Sequence, residues 1–255
     1  MRYITIGSGT SVPQAGRSAP CHLVKTGGQN IVIDLGPGSV WGLVRYGRIS
    51  PADVGLILIT HLHLDHCSDL APLLFALRSK ELVRTEPLMV LGPAGLMDHF
   101  SNIRRTWGNR VDPSGFDLIV DEWKGSGFSW RGIDIEAAPT SHSILNLAWC
   151  MYTADDIDCG IVITGDGRST RELVNLGVSR NHVLVAESAA GPGEDSEGHM
   201  NPAQAGQLAS ACRSRELVLS HIGPHHSPEA ILKEASAHFD GRIVVAEDGM
   251  EMEIG

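Results

Sequence analysis

A cluster of potential metal ligands occupies residues 61–66, which read His-Leu-His-Leu-Asp-His. It directly follows the apolar run 55–60, whose length and β-branched content predict a buried strand. The cluster therefore lies where a core strand ends and the chain turns, a common place for active sites in α/β folds. Imidazole and carboxylate ligands suit zinc, with manganese and iron as close competitors. These residues therefore predict a site for two adjacent divalent cations.

The positions within the cluster support this interpretation. His61 and His63 are two residues apart, so on an extended chain they share a face, while Asp65 and His66 follow where the backbone bends. A single histidine after a strand would more commonly be an ordinary loop residue. Three imidazoles packed together without a metal would suffer desolvation and mutual repulsion whenever they protonate. Cys67 adjoins the cluster, but we interpret it as wall packing because histidine and aspartate already supply enough ligands.

Three later residues share the same context of an apolar strand followed by a ligand-type side chain. They are His142 after residues 137–141, Asp166 after residues 161–165, and His221 after residues 217–220. Taken alone, each has an ordinary explanation, and Gly-Asp-Gly at 165–167 is also typical of a simple turn. The carboxyl ends of parallel strands meet at one rim of a sheet, however, so we expect these residues to join the cluster.

The arrangement of predicted elements indicates how the rim is built. Strands and helices alternate near both ends of the chain, whereas residues 116–164 are rich in strands. This order predicts an α/β fold with two sheets packed face to face and helices outside each. No internal repeat or low-complexity linker divides the sequence, and we expect a single domain over residues 1–255.

Composition narrows the classes of function. The chain has 255 residues, of which 42% are hydrophobic and 20% are charged, as in ordinary globular proteins. Its net charge of −10 opposes binding to a polyanion. The five cysteines are odd in number and form no CxxC pair, which favours a reducing compartment. No signal-peptide pattern or long apolar run is present, so we expect a cytoplasmic protein without a membrane span.

The HxHxDH pattern with the later His, Asp and His resembles the metallo-β-lactamase-fold hydrolases, and most specifically their ribonuclease Z-like branch. The motifs that carry the resemblance lie at residues 7–13 with Arg17, 33–38, 187, 198–203, 219–222 and 245–250. The resemblance covers nearly the whole chain. It implies a four-layer αββα sandwich of two mixed β-sheets flanked by helices, with the site at the sandwich edge.

The resemblance also implies a role for each candidate residue. It assigns one metal to His61, His63 and His142, the other to Asp65, His66 and His221, and the bridging position to Asp166. A hydroxide formed from water between the metals would attack the substrate. Asp65 would orient this nucleophile, and His199, steadied by Glu187, would protonate the leaving group. Asp34 is either a hydrogen-bond partner of a ligand imidazole or a buried turn cap.

One departure from the branch concerns the substrate. Members that process tRNA carry a long protruding arm between the positions of His142 and Asp166, where this sequence has room only for two strands and a turn. Together with the negative net charge, this argues against tRNA as a substrate. We therefore predict a phosphodiesterase for small-molecule or short nucleotide substrates, and the resemblance also suggests a homodimer. An ester, thioester or lactone hydrolase and a non-catalytic metal-stabilised binding module are the alternatives.

Overall fold

The computed structural model describes residues 1–153 and 156–255, in which the strands form two seven-stranded sheets. Strands are numbered in chain order. The first sheet has the order β14-β1-β2-β3-β4-β5-β6, with β1 (Arg2–Gly7), β2 (Cys21–Thr26), β3 (Gln29–Ile33), β4 (Leu56–Leu58), β5 (Leu88–Gly92), β6 (Leu118–Glu122) and β14 (Glu251–Glu253). The second has the order β13-β12-β11-β10-β9-β8-β7, with β7 (Phe128–Trp130), β8 (Ile133–Thr140), β9 (Asn146–Thr153), β10 (Asp156–Ile163), β11 (Asn181–Glu187), β12 (Glu216–Ser220) and β13 (Arg242–Val245).

Both sheets are mixed, as predicted. In the first, β3 to β6 pair in parallel and β14, β1, β2 and β3 pair antiparallel. In the second, β10 to β13 pair in parallel and β7 to β10 pair antiparallel. Each sheet thus has a parallel half whose carboxyl strand ends can gather functional residues at one edge.

Among the described residues there are two short 3₁₀ helices (Pro51–Asp53 and Gly108–Val111) and seven α-helices, which cover the outer faces of the sheets. Their bounds are α1 (Ser39–Arg45), α2 (Leu64–Cys67), α3 (Leu70–Ala76), α4 (Leu96–Trp107), α5 (Arg171–Arg180), α6 (Pro202–Ala211) and α7 (Pro228–Ser236). Leu43, Leu73 and Leu96 of the first helices pack on the first sheet, and Leu173 and Ile231 pack on the second.

A third core lies between the sheets, where fully buried Trp149 packs among residues of both. Burial of large apolar side chains on both faces of each sheet is the main force that stacks the four layers. The predicted αββα sandwich is therefore confirmed. The single domain over residues 1–255 stays a prediction. Within the described ranges, none of the helices combines the length and apolar character that a bilayer span requires.

Strand β4 is shorter than the predicted strand over 55–60, and the difference positions the ligand cluster. Regular pairing ends at Leu58, and the N–H of Ile59 still donates to the carbonyl of Leu91 (2.8 Å). The N–H of Thr60 donates instead to Asp34 Oδ1 (2.8 Å). A side chain thus replaces the neighbouring strand as partner, and the chain is free to turn at His61. The turn expected between β9 and β10 includes residues 154–155, which lie outside the described residues.

Candidate metal centre

Four strand ends converge at one edge of the sandwich. His61 follows β4, His142 follows β8, Asp166 follows β10 and His221 follows β12. His221 has a φ of 55°, in the left-handed region that side chains other than glycine rarely adopt. Such strained positions persist where the surrounding structure fixes them, and they cluster at functional sites.

The first group of potential ligands contains His61, His63, His142 and Asp166, whose ligand atoms all lie within 4.8 Å of one another. His63 Nδ1 lies 3.0 Å from His61 Nε2 and 3.2 Å from His142 Nε2. The outer nitrogens of two of these rings are already used, because His61 Nδ1 donates to Thr60 Oγ1 (3.0 Å) and His142 Nδ1 donates to the carbonyl of Gly198 (2.7 Å). The inner nitrogens of both rings therefore present lone pairs to a common point, as a cation site requires.

The second group contains Asp65, His66 and His221, again with ligand atoms within 4.8 Å of one another. Asp65 Oδ2 lies 3.7 Å from His66 Nε2 and 3.5 Å from His221 Nε2. These two histidines are nearly fully buried, whereas the Asp65 side chain is 14% exposed. Asp65 therefore forms the open side of this group.

Asp166 lies between the two groups with one oxygen towards each. Its Oδ2 is 3.8 Å from His61 Nε2, while its Oδ1 is 3.4 Å from His66 Nε2 and 3.4 Å from His221 Nδ1. Asp166 Oδ1, His66 Nε2 and His221 Nδ1 are all buried without a hydrogen-bond partner among the described residues. Buried polar atoms are almost always satisfied, so three of them facing one space fit a cation held between them.

The loop that carries Asp166 is held by close contacts. Gly165 and Gly167 flank it with φ values of 60° and 111°. A Cβ atom would lie 2.5 Å from Asn146 Oδ1 at Gly165 and 2.4 Å from Thr140 Oγ1 at Gly167. Asn146 Oδ1 also accepts from the Asp166 N–H (3.2 Å), and Thr140 Oγ1 donates to the Asp166 carbonyl (2.6 Å). Glycine is needed at both positions because only it combines positive φ with this approach.

Asp34 supports the cluster from behind. Its Oδ2 accepts hydrogen bonds from His66 Nδ1 (2.7 Å) and from the Thr60 hydroxyl (2.8 Å), and its Oδ1 accepts one from the Thr60 N–H (2.8 Å). A carboxylate that accepts from Nδ1 leaves Nε2 of the same imidazole for a metal. Asp34 therefore has both of the roles considered from the sequence: it orients a ligand-type imidazole, and it caps the turn at Thr60.

Burial and the nearby carboxylates shift the pKa values of the histidines in opposite directions. Burial lowers the pKa of His61 to about 2, which keeps this imidazole neutral, the form that binds metals. Burial acts in the same direction on His66 and His221 but is outweighed by the charge of Asp166, which lies between them. The pKa of His66 therefore lies well above its usual value, and that of His221 is raised to about 10. In their protonated forms these two histidines in turn hold the pKa of Asp166 well below its usual range, against the effect of burial, and binding of a metal ion would release those protons.

His199 and Glu187 form a hydrogen-bonded pair at the edge of the two groups. His199 Nδ1 donates to Glu187, with distances of 3.0 and 3.2 Å to its two oxygens, and the His199 ring centre lies 5.0 Å from that of His142. Glu187 is buried and also accepts from the N–H groups of Gly167 (2.6 Å) and Ala189 (3.1 Å). The hydrogen bond to Glu187 raises the pKa of His199, which is still partly exposed.

All nine predicted site residues thus lie around this edge, while Cys67 lies apart. The Cys67 thiol donates to the carbonyl of His63 (3.2 Å), and burial raises its pKa to about 12, so it remains protonated. Sequence reasoning missed Thr60, Thr140 and Asn146. Hydroxyl and amide residues are common beside strand ends, so their presence there is not a signal. Thr60 alone could have been suggested from the sequence, because it directly precedes His61.

The family model of the metallo-beta-lactamase superfamily matches residues 15–221. Ribonuclease Z of Haloferax volcanii is 24% identical over 308 aligned residues, covering 100% of this chain and 95% of that protein. The alignment is longer than the 255 residues of the chain, so the relative contains segments without a counterpart here.

Two solved structures share the fold over the full length. The metallo-beta-lactamase fold protein YhfI of Bacillus subtilis has a TM-score of 0.84 at 21% identity and covers 100% of this chain and 99% of its own. The short form of human tRNase Z has a TM-score of 0.81 at 23% identity and covers 100% of both chains. At these identities the likeness establishes the fold.

Proposed function

Because the chain belongs to the metallo-beta-lactamase superfamily, we propose that it is a dinuclear metal-dependent hydrolase that cleaves phosphodiesters. The observation that carries the proposal is the position of Asp166, which turns one oxygen towards each of two ligand groups. Paired cations a few ångström apart suit the displacement of an oxygen at phosphorus, because they stabilise charge on both the attacking and the leaving oxygen.

The residues present fit two cations of the zinc type. His61, His63 and His142 would hold one ion, Asp65, His66 and His221 the other, and Asp166 would contact both. Three imidazole ligands at one position and two at the other favour Zn²⁺, with Mn²⁺ and Fe²⁺ as competitors. When bound, such ions supply a lowered pKa for water and positive charge for the substrate oxygens.

Asp65 is the group that orients the attacking water in this proposal. Burial alone would raise its pKa, but the hydrogen bond from His221 and the charge of His66 lower it to about 2. Asp65 is therefore ionised at neutral pH, and its exposed side can accept a hydrogen bond from the water and then its proton. A general base must lie within hydrogen-bond reach of the proton it accepts, which the open position of Asp65 allows.

His199 is the proton donor to the leaving alkoxide. The raised pKa keeps it protonated nearer to neutral pH, as a general acid requires. Glu187 fixes the ring through Nδ1 and so leaves Nε2 for the substrate. An alkoxide is a poor leaving group, so a donor at this position supports the cleavage of an unactivated phosphodiester.

Small or short substrates fit this chain better than tRNA. Only residues 143–165 lie between His142 and Asp166, too few for a long protruding arm in addition to two strands, and the net charge of the chain is −10. A homodimer is part of the same proposal and is supported by the exposed Phe75 and Trp107, which line one shared apolar cavity. A cytoplasmic location also belongs to the proposal and rests on the cysteine content.

A substrate series tests the reaction type. The zinc-loaded protein is assayed on bis(p-nitrophenyl) phosphate and on a set of lactones and thioesters. We expect cleavage of the phosphodiester, and turnover of lactones alone would favour the carbonyl hydrolase. Asp65→Ala tests the alternative of a non-catalytic, metal-stabilised binding module. Unchanged turnover of every substrate with the metal still bound would contradict the catalytic role of Asp65.

A further inference from the structure

A cavity of about 370 Å³ adjoins the candidate metal centre on the side of Asp65. The loop 10–19 that follows β1 forms one wall, and the end of α1 with Tyr46 forms another. Asp65 belongs both to this wall and to the second ligand group. The cavity and the second ligand group therefore share Asp65 as a common wall.

Two carboxylates and two guanidinium groups line the cavity, and the fold uses most of them. Asp248 accepts hydrogen bonds from the N–H groups of Ser8 (2.9 Å) and Ser18 (2.7 Å). Arg17 donates to Ser8 Oγ (2.9 Å) and to the carbonyl of Ala246. Asp65 faces the histidines of the metal centre. Arg45 is the charged group of the cavity that remains.

Arg45 is a cation without a counter-charge. It is the last residue of α1, is exposed, and has no carboxylate within ion-pair distance among the residues that the structure describes. Its guanidinium carbon lies 5.0 Å from the centre of the Tyr46 ring. Contact with an aromatic face restricts the guanidinium and leaves its planar fork of donors available. Arg48, three residues later, instead pairs with Glu251 (3.7 Å).

We propose that Arg45 binds a second phosphate of the substrate, so that the enzyme prefers a phosphodiester bearing a further phosphate beside the scissile one. This inference rests on the proposed function. The guanidinium fork matches the oxygens of a phosphate, and the hydroxyls of Thr10 and Ser11 on the same wall are further donors. In a chain with a net charge of −10, an unpaired cation beside the metal centre raises the local concentration of such an anion.

A matched pair of substrates tests the second phosphate. Thymidine 5′-(p-nitrophenyl phosphate) is compared with the same compound carrying a 3′-phosphate, which has the same leaving group. For the wild-type protein we expect kcat/KM to be about tenfold to a hundredfold higher with the 3′-phosphate, the value of a hydrogen bond to a charged group. In Arg45→Gln this ratio falls towards one, and in Arg45→Lys it is intermediate because lysine lacks the fork.

Arg48→Gln is the matched control, since it removes the same charge three residues away and outside the cavity wall. We expect it to keep the wild-type ratio. A wild-type ratio near one, or an unchanged ratio in Arg45→Gln, would overturn the assignment.

A third substrate with a 3′-methyl phosphate identifies the source of the phosphate. Retained preference indicates an internal phosphate of an oligonucleotide, and lost preference indicates the terminal phosphate of a mononucleotide.

Binding measurements distinguish failure of the phosphate site from failure of the proposed reaction. Calorimetry compares thymidine 3′,5′-bisphosphate with thymidine 5′-monophosphate on the metal-loaded wild type and Arg45→Gln. If neither nitrophenyl ester is cleaved but the bisphosphate binds more tightly through Arg45, the phosphate site stands and the phosphodiesterase falls. If the esters are cleaved but Arg45 affects neither ratio nor binding, the reaction stands and the phosphate site falls.

Discussion

Replacing His199 by alanine should slow only those phosphodiesters whose leaving group needs a proton. His199 Nδ1 donates to Glu187, and no described residue hydrogen-bonds its Nε2, which leaves that nitrogen for the substrate. General acid catalysis by a positioned histidine contributes about 10²–10⁴-fold. We expect His199→Ala to lose a factor in this range on thymidine 5′-(methyl phosphate), whose leaving group is an alkoxide.

The matching p-nitrophenyl ester should respond much less. Its leaving group departs as a stable anion, so we expect a loss of less than about tenfold in kcat. The His199 side chain is 28% exposed, and the buried carboxylate of Glu187 keeps two backbone N–H partners in the variant. The fold and the metal content should therefore be maintained, which elemental analysis of the purified variant checks.

Glu187 and His199 should act as a unit. The charged hydrogen bond between them is worth about 1.5–3 kcal/mol, so Glu187→Gln should slow the methyl ester by about tenfold to a hundredfold. The double variant should be no slower than His199→Ala, because removal of the histidine already removes the interaction. His225→Ala is the control, since His225 is exposed and has no assigned role. Equal slowing of both esters by His199→Ala would refute its role as proton donor.

Three further predictions concern metal affinity and stability. Asp34→Ala removes the acceptor of His66 Nδ1 (2.7 Å), so metal affinity measured by chelator competition should fall about 10- to 100-fold; unchanged affinity would remove Asp34 from the support of the site. Trp149→Phe removes the donor to the carbonyl of Ile59 (3.1 Å) and should lower the free energy of unfolding in urea by about 1–3 kcal/mol, whereas no loss would mean that this contact contributes nothing. His22 is buried beside Tyr3 (2.8 Å), and burial lowers its pKa from 6.5 to about 3. The unfolded chain therefore binds one more proton between these pH values, and stability should fall by about 1.4 kcal/mol per unit as pH drops below 6.5. His22→Gln should lose that component of the pH dependence, and an identical slope in both proteins would contradict it.

The ligand-type residues were predictable because each one carries its own local signal. A buried apolar run followed by histidine or aspartate marks the end of a core strand, and this rule placed His142, Asp166 and His221 beside residues 61–66. The fold class followed from the order of strands and helices together with the resemblance. Both of these predictions depend on patterns of residues that are adjacent in the sequence.

Contacts between distant segments were not predictable in this way. Asn146 and Thr140 hold Asp166 through hydrogen bonds that exist only once β8, β9 and β10 are paired. Arg45 likewise lines the same cavity as Asp65 only because α1 lies beside the loop that follows β1. Neither arrangement has a sequence period or motif, so the walls of the site depend on tertiary packing, while its ligands depend on strand ends.

Anomalous diffraction from crystals of the zinc-loaded protein tests the central claim most directly, because it locates the metal ions themselves. We expect two zinc peaks in each chain, one at His61, His63 and His142 and the other at Asp65, His66 and His221, with the Asp166 carboxylate in contact with both. A single peak, or a second peak away from Asp166, would contradict the dinuclear centre.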